Sequence, residues 1–220
     1  ILSQNISWTS LHTLNLAENI LTSKGAAFLR DNKSWINLRA LDLSNNSIDD
    51  GGAIELSSNA SWPLLEKLNL QNNAITAVGM KELTRNSIWK GLKEVHVSNK
   101  NLTSKGRAEL NEALMWNTGW TNITNLNLQN CCIGDQGVAN CVKNLKWSNL
   151  VYLNLSSNKI TPQGAIELGR TTQWETLQSL NLADNTIRTE GAAGLSKNTS
   201  WKNLKSLNFQ NNIILNDGSS

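Results

Sequence analysis

The stretch Leu65-Glu66-Lys67-Leu68-Asn69-Leu70-Gln71-Asn72-Asn73-Ala74-Ile75-Thr76 decides how this chain folds. Leu68-Asn69-Leu70 alternates apolar, polar and apolar residues, the period of a short strand with one buried face. Asn73 then turns the chain, because a buried amide can bond the backbone groups that a tight turn leaves unpaired, in its own coil and in the next. Thr76 stands where a helix begins, and Gly79 opens an apolar-periodic stretch.

The pattern repeats along the whole chain. Trp8, Trp35, Trp62 and Trp89 fall 27 residues apart, and after one break Trp120, Trp147, Trp174 and Trp201 resume the same step. The strand triplet recurs as Leu14-Asn15-Leu16, Leu41-Asp42-Leu43, Val95-His96-Val97, Leu126-Asn127-Leu128, Leu153-Asn154-Leu155, Leu180-Asn181-Leu182 and Leu207-Asn208-Phe209. Three residues after each triplet comes Asn19, Asn46, Asn73, Lys100, Cys131, Asn158, Asn185 or Asn212, and Cys131 can partly replace the amide. Thr161-Pro162 is the clearest helix start, a Thr cap with Pro at the first helical position, and Thr22, Thr76 and Thr103 occupy the same place. Pairs such as Ala53 with Leu56, or Ala192 with Leu195, give each helix a buried face. One strand and one short helix cannot bury an apolar face alone, so the copies must stack and share a core. The Trp sits at one phase in every copy, which reads as a plug where the helix returns to the strand rather than as a binding hot spot.

The break lies at 93–120. Val95 and Val97 replace Leu, Lys100 stands in the Asn column, and Leu110-Asn111-Glu112-Ala113-Leu114-Met115-Trp116 carries four extra residues. Four residues are close to one helical turn. The spacing therefore predicts a helix longer by one turn that keeps Leu110 and Leu114 on one face, either a tolerated insertion on the outer side or, with Met115 and Trp116 at its end, a recognition feature.

With the columns in view, Leu65-x-x-Leu68-x-Leu70-x-x-Asn73-x-Ile75 resembles the leucine-rich repeat family, and Gly164-Ala165-Ile166-Glu167-Leu168 is similar to the helix of its ribonuclease-inhibitor-like subfamily. That subfamily also takes in sensor regions of NOD-like receptors, Ran GTPase-activating proteins and bacterial effectors. The period is slightly short for it, and the recurrent Trp is unusual. The resemblance implies an α/β fold over residues 1–220: one right-handed solenoid or horseshoe of about eight 27-residue repeats, cut at both ends, with a parallel sheet on the concave face and helices on the convex face.

Composition narrows the function. Hydrophobic residues make up 39% and charged residues 17%, enough for a core and too little charge for a disordered chain. The net charge of +3 is dispersed, which argues against nucleic acid as partner. No apolar run approaches the roughly 18 residues of a membrane span, and the first residues, without a basic or apolar leader pattern, give no expectation of a secretory signal. Cytoplasmic residence, or export into a host cell, is the expectation. Sequons such as Asn59-Ala60-Ser61, Asn101-Leu102-Thr103 and Asn198-Thr199-Ser200 are what an Asn- and Ser-rich chain makes by chance. Exposed apolar residues at the ends, Leu2, Ile6, Phe209, Ile213 and Ile214, point to end-to-end self-association.

Catalytic constellations are absent. His12 and His96 lie in different repeats without a Cys at ligand spacing, so neither a metal site nor a cofactor is expected. Cys131 and Cys141 read as buried structural thiols and Cys132 as the more exposed one, open to modification. The chain is therefore expected to be no enzyme but a module that holds another protein, the recognition part of a larger protein such as a sensor or an effector. An enzyme regulator and a structural spacer are the alternatives. On the concave face the central column is mostly Asn and the flanking positions are small or polar, so the cluster Lys67, Glu94, His96, Asn125, Asn127 and Tyr152 is the candidate contact, with Tyr152 its one large aromatic. The other reading is that the Asn column merely solvates an idle face.

Overall fold

Each repeat folds as one three-residue strand and one helix. The computed structural model describes residues 4–98, 104–115 and 119–215. In chain order the elements are β1 (Thr13–Asn15), α1 (Ser23–Asp31), β2 (Ala40–Asp42), α2 (Asp50–Ser57), β3 (Lys67–Asn69), α3 (Ala77–Leu83), β4 (Glu94–His96), α4 (Ser104–Met115), β5 (Asn125–Asn127), α5 (Gly134–Lys143), a 3-10 turn (Leu145–Trp147), β6 (Tyr152–Asn154), α6 (Pro162–Arg170), β7 (Ser179–Asn181), α7 (Arg188–Leu195) and β8 (Ser206–Asn208). All eight strands form one parallel sheet in chain order. The register never slips: Thr13 lies beside Ala40, then Lys67, Glu94, Asn125, Tyr152, Ser179 and Ser206. Helices pack beside their neighbours on the other side of the core, and because they are wider than strands the sheet takes the inside of the curve. This is the expected α/β leucine-rich-repeat solenoid.

The strands begin one residue before the apolar-polar-apolar triplet and end at its polar member. The cause is the asparagine ladder. Leu70 still donates its N–H to His96 O at 2.8 Å, but its carbonyl is taken by the amide of Asn73, 3.1 Å away, which also donates to Leu43 O in the preceding coil at 2.9 Å. Asn73 Oδ1 in turn accepts from Ile48 N at 3.0 Å. Asn46, Asn158, Asn185 and Asn212 repeat these bonds. At Cys131 the thiol takes the place of the amide and donates longer bonds to Val97 O and Gln129 O, at 3.7 and 3.6 Å. Among the described residues, the one just before the ladder takes a left-handed conformation at Glu18, Asn45, Asn72, Asn130, Ser157, Asp184 and Asn211.

A second asparagine column, three residues before each Trp, closes the opposite seam. Asn59 Oδ1 accepts from Ser61 N and Trp62 N, and its amide donates to Arg30 O of the previous coil at 3.1 Å. Asn32, Asn86 and Asn198 do the same. Where Thr171 interrupts the column, Gln173 reaches back to Val142 O at 2.8 Å. The sequons at Asn59 and Asn198 belong to this seam. Asn59 is 1% exposed, so its amide has no room for a glycan in the folded chain.

Between the seams lies one dry core. The strand centres Leu41, Leu68, Val95, Leu126, Leu153 and Leu180 are buried, as are Ala53 and Leu56 of α2. In the last helix Leu195 is buried and Ala192 only partly. Trp35, Trp62, Trp89, Trp120, Trp147 and Trp174 are essentially inaccessible. Trp62 and Trp89 stack with ring centroids 6.5 Å apart and planes within 10°. Their Nε1 atoms are buried away from any acceptor, as are those of Trp35, Trp147 and Trp174. An indole used for recognition would present that N–H outward, so the column packs rather than binds. Trp8, in the first coil, is 43% exposed.

Helix starts are tied across coils. Thr76 caps α3 from Val78 N, and Asp50 of α2 accepts from Thr76 N, Thr76 Oγ1 and Gly79 N at 2.6, 2.6 and 2.9 Å. Asp135 of α5 holds Thr161 in the same way. A Cβ on Gly164 would come 2.3 Å from Asp135 Oδ1, which is why glycine leads the helix there. Thr22 stands at the start of α1 in extended conformation but makes no side-chain cap bond, a departure from expectation. The hydroxyl partner in that coil is Ser23, which donates to Asp49 Oδ1 at 2.7 Å. That bond, with the Gly52 N–H, holds the Asp49 carboxyl below its ordinary range.

At the break, α4 runs 12 residues where the other helices have 7 to 10, and Leu110 and Leu114 are both buried. Lys100, Thr103, Trp116 and the sequon at Asn101 lie outside the described residues, as do Leu2 and 216–220. Cys132 corrects the sequence reading: it is 8% exposed, and all three thiols are buried. Burial, with Cys131 nearby, pushes the Cys141 thiol up to about 12. Among the described residues no helix is long and apolar enough to cross a membrane.

Candidate partner-binding face

The side chains on the open face of the sheet come from two columns with different freedoms. The first is the last residue of each strand. Asn15, Asp42, Asn69, Asn127, Asn154, Asn181 and Asn208 each use Oδ1 to accept the N–H two residues on, at 2.9 to 3.1 Å. Short polar side chains bond locally in this way at strand exits. The Asn column therefore has a structural job. It shapes the turn that carries the chain out of the sheet. His96 alone breaks it.

The second column is the first residue of each strand, and no turn constrains it. It reads Thr13, Ala40, Lys67, Glu94, Asn125, Tyr152, Ser179 and Ser206. Size and charge vary here more than anywhere else on the face.

The fold brings the predicted residues onto four adjacent strands: Lys67 on β3, Glu94 and His96 on β4, Asn125 and Asn127 on β5, Tyr152 on β6. Four of them form one chain of contacts. Lys67 Nζ lies 2.8 Å from Glu94 Oε2, Glu94 Oε1 lies 2.8 Å from His96 Nε2, and His96 Nδ1 lies 3.5 Å from Asn127 Nδ2. Burial alone would raise the Glu94 carboxyl, but hydrogen bonds from Lys67 and His96 outweigh it and hold the group below its ordinary range. The same hydrogen bond raises Lys67. Tyr152 stands apart from this chain, two strands beyond Glu94. Its ring is half-buried, burial raises its hydroxyl, and a hydrogen bond to Asn154 works the other way. His12 precedes β1 and its Nδ1 lies 2.6 Å from Ser10 O, away from the cluster.

Sequence reasoning passed over Asp42. It is the one acid in the Asn column, and that singularity was the available signal. Asp42 Oδ1 accepts from Ser44 N and Ser44 Oγ, and Oδ2 accepts from Asn69 Nδ2 at 3.1 Å. Asp42, Lys67, Glu94 and His96 border a hollow of about 280 Å³ on strands β1 to β4, floored by the small residues Thr13 and Ala40. Among the described residues no group of His, Cys, Asp and Glu is arranged to hold a metal ion.

The family model described as Leucine Rich repeat matches residues 36–57, 63–83, 121–140, 148–169 and 175–196. A search of curated proteins finds no match. Among solved structures, the chain is similar to one titled "Leiomodin-1 Actin-Binding Site 2 (ABS2)", at 19% identity over 57% of this chain and 72% of that one, with a TM-score of 0.45.

Proposed function

We propose that this leucine-rich-repeat solenoid binds another protein across strands β3 to β6, with Lys67, Glu94, His96, Asn125, Asn127 and Tyr152 at the contact. One observation carries the reading: on a face built, apart from Asp42, of turn-forming Asn and small residues, the charged chain Lys67–Glu94–His96 and the lone large aromatic lie within four adjacent strands. Aromatic anchors concentrate binding energy, and near-neutral contacts around them exclude water. The face is preformed, since core and turns hold every strand in register, so little ordering opposes association. The role proposed is holding rather than catalysis.

The test places a photo-crosslinking amino acid at Ser179, beside Tyr152 on the sheet, and at Glu167 on the helix side. A protein captured at the first site and not at the second is then titrated against Tyr152→Ala and Lys67→Glu. Each variant is expected to weaken it at least tenfold, about 1.4 kcal/mol. Wild-type affinity in both variants would place the contact elsewhere.

A further inference from the structure

The geometry points to the hollow at Asp42 as the seat for a cationic side chain, arginine or lysine, of the bound protein. This rests on the reading that the sheet face binds a protein, and it adds the chemistry of one contact. The charges bordering the hollow do not balance. Glu94 is paired twice, with Lys67 and with His96. Asp42 has no cation among the described residues, and its bonds come from a hydroxyl, an amide and a backbone N–H. Two carboxylates against one ammonium leave the hollow negative, although the whole chain is positive at +3.

The hollow also has the right shape. Ala40 and Thr13 occupy the column that holds Asn125 and Tyr152 further along, so the floor under Asp42 is low. A long basic side chain can lay its methylenes over Ala40 and bring its head to Asp42. A carboxylate offers about four acceptor positions. Oδ1 already accepts two bonds and Oδ2 one, which leaves Oδ2 open to one further donor. An acid is not needed for the turn, which seven Asx residues make alike and six of them with an amide. The turn therefore does not call for the charge of Asp42, whose Oδ2 takes only the single bond from Asn69, while the carboxylates of Asp49 and Asp50 are used in capping.

The probe is N-acetyl-arginine methylamide, titrated into the 15N-labelled chain and followed by amide shifts. Saturable shifts are expected at 40–44 and 69. The neutral isostere N-acetyl-citrulline methylamide, and the variant Asp42→Asn, which keeps the turn acceptor, should each bind about tenfold more weakly, the loss of one charge-assisted hydrogen bond. Glu190→Gln, an exposed acid on α7, should change nothing. Shifts that do not saturate, or that are equal for the citrulline probe or for Asp42→Asn, overturn the inference. Loss of the crosslinked partner in Tyr152→Ala would stand in that case, so the two readings fail separately.

Discussion

Strands β1 to β4 and β5 to β8 are copies in backbone and in core, yet they offer different chemistry on the sheet face. The first half carries Asp42, Lys67, Glu94 and His96. The second carries Asn125, Asn127, Tyr152, Asn154 and then only Ser and Asn. Both halves bury the same Leu and Trp columns and close their seams with the same two asparagine ladders. Lys67, Glu94, Asn125 and Tyr152 vary in a column that neither core packing nor a turn demands, while Asp42 keeps the turn bond of its column and His96 departs from it. A solenoid separates scaffold from recognition in this way because each coil meets only its neighbours, and residues on the open face answer to no further layer.

The comparison breaks most easily at the tryptophans. If the halves share one scaffold, Trp62→Ala and Trp174→Ala should be alike, each costing about 3–5 kcal/mol as large buried truncations do, measured by urea unfolding. A near-neutral result in either half would mean that its Trp serves the surface. The ladders give the next effect. Asn158→Ala strips acceptors and donors from Cys131 N, Ile133 N, Leu128 O and Ser156 O and should cost about 2–4 kcal/mol, since unsatisfied buried backbone groups cost about 1–3 kcal/mol each before water relieves some of them. Cys131→Asn runs the other way. Replacing a thiol at 3.6–3.7 Å from its carbonyls with the amide used in the other coils should stabilise by about 1 kcal/mol, and a loss would show that the seam between the halves has a geometry of its own.

The smallest effect belongs to the face. Glu94→Gln should cost under about 1 kcal/mol, because Lys67 is 61% exposed and such pairs are screened. Its pH dependence sharpens the point. The folded Glu94 carboxyl lies below its ordinary value. Its contribution is therefore complete above about pH 4.3 and fades as pH falls through the lower folded value. The stability difference between wild type and Glu94→Gln should follow that course, and a difference that grows on acidification would mean the pairing has been misassigned.

The 27-residue Trp period, the strand triplets and the Asn after them were enough to set the fold, the strand order and the register, because period-2 alternation and a fixed repeat leave one way to bury the apolar columns. The longer α4 and the buried roles of Cys131 and Cys141 were legible for the same reason. What the sequence could not separate were asparagines that look alike in a string. Asn59, Asn69 and Asn73 hold a helix return, a strand exit and an inter-coil ladder, and only the positions of the carbonyls and N–H groups around them assign each job. Cys132 and Thr22 belong to the same class, since burial and cap bonds depend on where the neighbouring coil lies. The candidate site follows this division. Its residues were visible as departures from a column, but the pairing of Glu94 with two bases, and the carboxylate of Asp42 left without one, arise from the lateral spacing of strands that are some 27 residues apart in the chain.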